Sequence, residues 1–231
     1  MSFEFVEVKR HGRVAVVAMD RADKRNAMSE ALLLELREAL RRQTADDAVA
    51  AVVLTGKGSV FCAGADRSAV AGLEGDERTR VFAPIAAHLS ALIGEVVLEL
   101  VSMPKLVVAA VNGHAAGGGM MAALGCDFRI AADDAQFWMP EIELGRAISE
   151  PATGMLLAHV GPALTKDIVL TGRRLAAEEM MHLGLLTRIV PRADVLAAAL
   201  ELAESVAQRD ARAAATVKCR ANRAVVGIWR G

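Results

Sequence analysis

Four stretches of the chain combine residue types that can do chemistry. Gly58-Ser59-Val60-Phe61-Cys62-Ala63-Gly64-Ala65-Asp66 is made mostly of small residues, which let a thin ligand lie against the main chain. Ala110-Val111-Asn112-Gly113-His114-Ala115-Ala116-Gly117-Gly118-Gly119 reads as a strand, a glycine-rich turn and a helix start. Consecutive free N–H groups at a helix N-terminus carry partial positive charge without a cationic side chain, which suits an oxygen that becomes negative during a reaction. Losing one such donor typically costs about 10²–10³ in rate. Glu141 follows Pro140 close to Phe137, Trp138 and Met139. A carboxylate among apolar neighbours has its charged form disfavoured, which moves its pKa toward a value useful for proton transfer. Finally, Asp20 to Met28 is a charged loop whose Lys24 and Arg25 suit an anionic ligand.

Each stretch alone also fits a plain structural role: a solvated loop, an ordinary strand-to-helix turn, or a surface Glu after Pro. Cys62 reads as a small packing residue, since no acid–base partner is recognisable near it. His114 reads as a hydrogen-bonding residue of the turn, and His11, His88, His159 and His182 show no metal spacing, so no metal is implied. Gly56-Lys57-Gly58-Ser59 is not a phosphate-binding G-x-x-x-x-G-K-[ST] loop. Neither glycine region gives a clear G-x-G-x-x-G, which argues against dinucleotide binding.

The elements that must position these residues alternate between strand and helix. Phe3 to Val8 begins a strand, His11-Gly12-Arg13 is a turn, and Val14 to Met19 is a buried second strand. A helix is expected over Ser29 to Arg42, capped by Ser29, with Met28, Leu32, Leu33, Leu36 and Leu40 on its apolar stripe. Val49 to Thr55 is a third strand. Arg67 to Arg80 reads as a surface loop, followed by a long helix with Pro84 near its start and Pro104 past its end. Strands are expected at Lys105 to Val111, Asp127 to Ala131 and Thr187 to Val190. Helices are expected at Ala152 to His159, Ala163 to Leu170, Ala176 to Leu183, Asp194 to Gln208 and Ala211 to Val226. The alternation predicts an α/β fold with a parallel sheet and crossovers, residues 1–191, and a small helical C-terminal part, residues 192–231.

Composition narrows the class. A chain of 231 residues with 54% hydrophobic side chains can bury a large core, and with 3% aromatic residues and no Tyr that core must be aliphatic. With 27 basic and 28 acidic residues well mixed, nothing marks a nucleic-acid or anionic-membrane surface. The three widely spaced cysteines form no disulfide framework. The N-terminus is not a signal peptide, and the apolar stretches read as interrupted short of a membrane span. A cytoplasmic location is expected.

Taken in order, the four stretches resemble the crotonase (enoyl-CoA hydratase/isomerase) superfamily. Gly58–Asp66 is similar to its F-x-A-G-x-D segment, and Ala135–Gly145 to its A-x-F-x-x-P-E-x-x-x-G segment. Leu170–Glu179 and Gly184–Pro191 also resemble it, so the likeness spans nearly the whole chain. The resemblance implies a spiral of ββα units assembled as a homotrimer or dimer of trimers. The substrate is an acyl-CoA thioester, with no cofactor beyond coenzyme A itself. It makes the N–H groups of Ala65 and Gly118 the oxyanion donors and Glu141 the proton-transfer residue. It places CoA against Lys24, Arg25, Ala27, Ala63, Ala65, Asp66, Gly117 and Gly118.

The pattern also departs from the family. Hydratases carry a second Glu shortly after the glycine triplet, where this chain has Met121. A thioether moves no protons, so the resemblance is closest to the single-Glu isomerases, with Δ3,Δ2-enoyl-CoA isomerisation the expected reaction. Hydration or another enolate-based acyl-CoA reaction stays open, as does a non-catalytic acyl-CoA-binding or assembly protein. Glu150 is a candidate second acid, because dienoyl-CoA isomerases place an acid at the position matching Ser149. Trp138 is larger than the family's usual residue and is expected to shorten or redirect the acyl pocket. Family members continue past a segment similar to Thr216–Trp229, adding a helix used in trimer contacts and CoA cover, so both features are expected to differ here.

Overall fold

The computed structural model describes residues 3–223 and 227. Its main sheet has six strands in the order β1-β2-β3-β4-β6-β9: β1 Val6–His11, β2 Val14–Met19, β3 Ala51–Gly56, β4 Leu106–Val111, β6 Phe128–Ala132 and β9 Arg188–Val190. β1 pairs antiparallel with β2, and every later pairing is parallel. β2 and β3 are buried at every residue, and β4 at all but its first. Runs such as Val-Ala-Val-Val and Ala-Val-Val-Leu have no polar face to present, so they form the middle of a sheet covered on both sides. β1 alternates Val6 and Val8 with Glu7 and Lys9 and takes an edge.

A second, three-stranded sheet joins β5 Ala115–Ala116, β7 Gln136–Trp138 and β8 Leu175–Ala176. None of these strands is expected from the sequence, which shows a turn and motifs there and a helix starting at Ala176; strands of two or three residues are too short to show a period.

Helix α1, Glu30–Ala45, starts where expected: the Ser29 side chain accepts from the Leu32 amide, and Leu32, Leu33, Leu36 and Leu40 are buried. Helix α2 runs Gly75–Ser102, so the predicted loop 67–80 becomes helix from residue 75. Asp76 and Glu77 in the first turn suit the positive end of the helix dipole, and Pro84 falls inside the helix. By length and composition α2 could cross a membrane, which corrects the reading of its apolar run as too short. In this fold it packs on α1 and α3, and Arg41 reaches across to Glu99 at 2.6 Å.

Helix α3 is Gly118–Gly125, wholly buried. α4, Glu150–Thr171, replaces two predicted helices and keeps the break between them as a kink at Gly161, φ 71°. α5 is Ala177–His182, α6 Val195–Ala207 and α7 Ala211–Ala221; the predicted extension of α7 to Val226 runs outside the described residues. α6 lies against β3, β4 and β6 through Val195, Ala199, Ala203 and Ala207, each one turn from the next.

Three loops leave the carboxyl ends of adjacent parallel strands: 20–28 after β2, 57–74 after β3 and 112–117 after β4. Side-by-side parallel strands therefore bring three of the four stretches to one end of the sheet, where open α/β sheets hold their ligands.

Candidate active site

Backbone pairing ties the two small-residue turns together. The Cys62 amide donates to the His114 carbonyl at 3.2 Å, and the Ala116 amide donates to the Cys62 carbonyl at 3.0 Å. Glycine makes the approach close enough: a β-carbon on Gly119 would meet the Cys62 carbonyl oxygen at 2.6 Å, and one on Gly64 would meet that of Ala116 at 2.8 Å. The Met28 amide donates to the Gly64 carbonyl at 2.8 Å, and that of Asp66 to the Met28 carbonyl at 3.0 Å. These bonds use the groups on either side of Ala65 and leave its own N–H over. Among the described residues neither the Ala65 amide nor the Gly118 amide has an acceptor. Both residues line one cavity of about 60 Å3. Gly118 is the first residue of α3, so its N–H is one of the orphan donors of that helix.

Glu141 lines the same cavity. The Gly117 amide donates to the Trp138 carbonyl at 2.9 Å, which extends the β5–β7 pairing and sets the next turn, Met139 to Glu141, over the start of α3. Oε2 of Glu141 is buried and has no hydrogen-bond partner among the described residues. Burial pushes the carboxyl above its ordinary pKa, against the smaller opposing pull of its own backbone amide and the Arg146 guanidinium. Among the lining residues it is the single carboxylate, and Met121 lines the cavity at 3% exposure. Two unpaired N–H donors and a desolvated carboxylate on one small cavity can hold an oxyanion and exchange a proton beside it.

The loop after β2 adjoins this centre without entering it. The Ala63 amide donates to the Arg25 carbonyl at 3.0 Å. Ala63, Lys24 and Arg25 are exposed, and among the described residues neither cation is in an ion pair. Ala27 is half-buried, its carbonyl accepting from Arg21 at 2.8 Å. Asp66 binds Arg21 at 2.8 Å through one oxygen and Ser68 through the other. Burial works to raise the Asp66 pKa, but Ser68 and Arg21 outweigh it and hold the carboxyl below its usual value. Gly117 adopts φ 49° under the Glu141 side chain.

Glu150 is exposed at the first turn of α4 and does not line the cavity; Ser149 does. Trp138 is also absent from the lining. Strand alternation buries Phe137 and Met139 on one side and turns Trp138 to the other, where Arg174 stands 4.4 Å over its ring. Met139, not Trp138, meets the cavity, which corrects the expectation that the indole shapes it. Cys62 is fully buried with its thiol pushed up to about 12 by burial, an unreactive packing residue. His114 accepts from the Gln136 amide at 3.1 Å.

Three residues escaped the sequence reading. Asn26, fully buried at φ 54°, donates to the carbonyls of Lys57 and Val60 and accepts from the Arg21 amide, locking loop 20–28 to the loop after β3. An Asn in a charged turn is a signal for left-handed backbone, though not for those partners. Arg146 lines the cavity and, with Arg67, stands over Phe82. No local pattern marks either arginine, because α2 supplies the ring they share.

Two unpaired amides and a desolvated carboxylate thus share one cavity beside the carboxyl ends of a parallel sheet, and comparison with known proteins gives the chain its family. The sequence profile of the Enoyl-CoA hydratase/isomerase family matches residues 9–226, and the chain belongs to that family. It is 36% identical to a "Probable enoyl-CoA hydratase" of Rhizobium meliloti over 97% of this chain and 84% of the other. It is 34% identical to the mitochondrial enoyl-CoA hydratase of Pongo abelii over 96% and 74%. Among solved structures, the enoyl-CoA hydratase of Bacillus anthracis superimposes with a TM-score of 0.83 at 32% identity, covering 93% and 81%. A monofunctional enoyl CoA isomerase from M. smegmatis gives 0.76 at 31%, covering 93% and 90%. The protein is thus an enzyme of the enoyl-CoA hydratase or isomerase type with the α/β fold of that family.

Proposed function

We propose that the protein shifts the double bond of a 3-enoyl-CoA to give the 2-enoyl-CoA, with Glu141 as the one base and acid. The observation that supports this reading is the composition of the cavity wall. Among the described residues it holds a single carboxylate and a methionine, Met121, which the family resemblance matches to the second acid of the two-carboxylate hydratases. Hydration must activate water and also deliver a proton to carbon, work that two acids share. Double-bond migration needs only one group that takes a proton and returns it.

In this scheme the thioester oxygen sits between the N–H groups of Ala65 and Gly118. Oε2 of Glu141, which has no hydrogen-bond partner among the described residues, accepts the proton from C2. The electron pair moves through the carbonyl and the C3–C4 double bond to give a dienolate, whose negative oxygen the two amides hold. Glu141 then returns the proton to C4, leaving the double bond between C2 and C3 with no net change in composition. The raised pKa of Glu141 serves the middle of this sequence, when the carboxyl must stay neutral in a dry cavity. The thioester is itself the electron sink, so the scheme calls for no cofactor beyond the CoA of the substrate. Lys24 and Arg25 face the CoA phosphates from the exposed loop, with Ala27, Ala63, Asp66 and Gly117 along the adenine and pantetheine arm. Glu150, on the surface, takes no part. The widely spaced cysteines support a cytoplasmic location, and the family resemblance supports a homotrimer or dimer of trimers.

The test is incubation of the pure protein with 3-enoyl-CoA and, separately, with 2-enoyl-CoA. Migration without hydration is the expected result. Hydration as the faster reaction would overturn the isomerase reading, and CoA binding without turnover would make the protein a non-catalytic binder.

A further inference from the structure

The cavity runs along one face of α2. Ile93 marks one end, since its Cδ1 lies 2.7 Å from where a β-carbon on Gly118 would stand. Ser90 and Ala86 continue the lining, three and then four residues back along the helix, and the next residue on that face is Phe82, 6% exposed. From Ile93 to Phe82 the helix rises about 16 Å, leading away from the two free amides. Two arginines stand over the Phe82 ring. The guanidinium carbon of Arg146 is 5.6 Å from the ring centroid and that of Arg67 is 6.0 Å.

Among the described residues neither arginine forms an ion pair, and Nε of Arg67 is buried with no hydrogen-bond partner. Arg146 is itself part of the cavity wall. A hydrocarbon chain reaching this end would leave the buried Nε of Arg67 without an acceptor and Arg146 with only the pull of the Glu141 carboxyl, whereas a carboxylate at the chain end would supply an acceptor. Taking the cavity as the acyl site of the reading above, we infer that the substrate's acyl chain ends, remote from the thioester, in a carboxylate that Arg67 and Arg146 hold. The preferred substrate is then the CoA monothioester of an unsaturated dicarboxylic acid.

The experiment compares kcat/KM for two 3-enoyl-CoA substrates of equal chain length, one ending in a carboxylate and one in a methyl group. The wild-type enzyme is expected to favour the carboxylate by at least about tenfold, the scale of a charge-assisted hydrogen bond. Arg67→Gln and Arg146→Gln are each expected to lower that ratio about tenfold. Turnover of both substrates with no preference, or with a preference for the methyl end, overturns the inference and leaves the isomerase reading standing; turnover of neither overturns both. CoA alone, which has no acyl chain, separates the two sources of anion. If both variants weaken inhibition by CoA as much as they lower the ratio, the arginines hold its phosphates and the inference fails.

Discussion

Oε1 of Glu141 stands 2.9 Å from the point a β-carbon on Gly117 would occupy, and Cδ of Pro140 stands 3.6 Å from it. The carboxylate therefore rests on bare backbone, immediately before the residue whose free amide opens α3. Gly117 also holds φ 49° with ψ −117°, a conformation costly for any residue with a side chain. The carboxylate and the amide are set by the same peptide, so a change here is felt by both.

Gly117→Ala is expected to lower stability by about 1–3 kcal/mol from backbone strain. It should also displace the carboxylate, and a 1 Å displacement can cost about 10²-fold in rate. Isomerisation assays should show kcat falling much more than KM rises. A variant with unchanged kcat would mean that Glu141 is not held by this contact.

Glu141→Gln is expected to abolish isomerisation, a loss of at least about 10²-fold. In the wild type, kcat/KM should rise with pH through a value above the ordinary carboxylate range, as the basic form appears. The same variant tests stability. The folded pKa of Glu141 is raised, chiefly by burial, so the native state binds this proton more tightly than the unfolded chain does. Native stability therefore declines as pH rises from the unfolded carboxylate range through the higher folded value. Removing the charge should raise the Tm at neutral pH, with no gain below about pH 4. Equal melting of variant and wild type at neutral pH would show that the carboxylate is not desolvated.

Met121→Glu places a second carboxylate in the cavity wall. Hydration of a 2-enoyl-CoA is expected to rise at least about tenfold over wild type, the low end of what general acid–base groups supply. At 3% exposure the new charge lacks solvent, so a loss of up to a few kcal/mol should accompany it. Unaltered hydration in a folded variant would show that this position does not govern the choice of reaction.

Asn26→Ala removes three hydrogen bonds and a residue tolerant of left-handed backbone. About 3 kcal/mol of stability should go with it, and KM for the CoA substrate should rise because loop 20–28 loses its anchor. Denaturant titration and initial rates measure the two effects. A stable variant with normal KM would detach this loop from CoA binding.

How far the chain could be read follows from where each signal lies. Buried strands such as Val14–Met19 and Lys105–Val111 are legible because an uninterrupted apolar run leaves no other place for them. The start of α2 was misplaced because Arg67 to Arg80 is polar, and a polar stretch can be loop or exposed helix alike. Trp138 was assigned to the acyl pocket on size alone, and the side it faces was set by pairing of β7 with β5.

By itself the sequence determined the alternation of strand and helix, the two small-residue turns and the carboxylate after Pro140, since all are properties of neighbouring residues. Only the tertiary structure decided what those pieces jointly enclose. Parallel pairing of β2, β3 and β4 put their following loops side by side, and the close passage of Cys62 under Gly119 brought the Ala65 and Gly118 turns onto one cavity. It also decided that Arg67 and Arg146, far apart in the chain, share the ring of Phe82. Distances across a fold depend on packing between elements, and no local spacing encodes them.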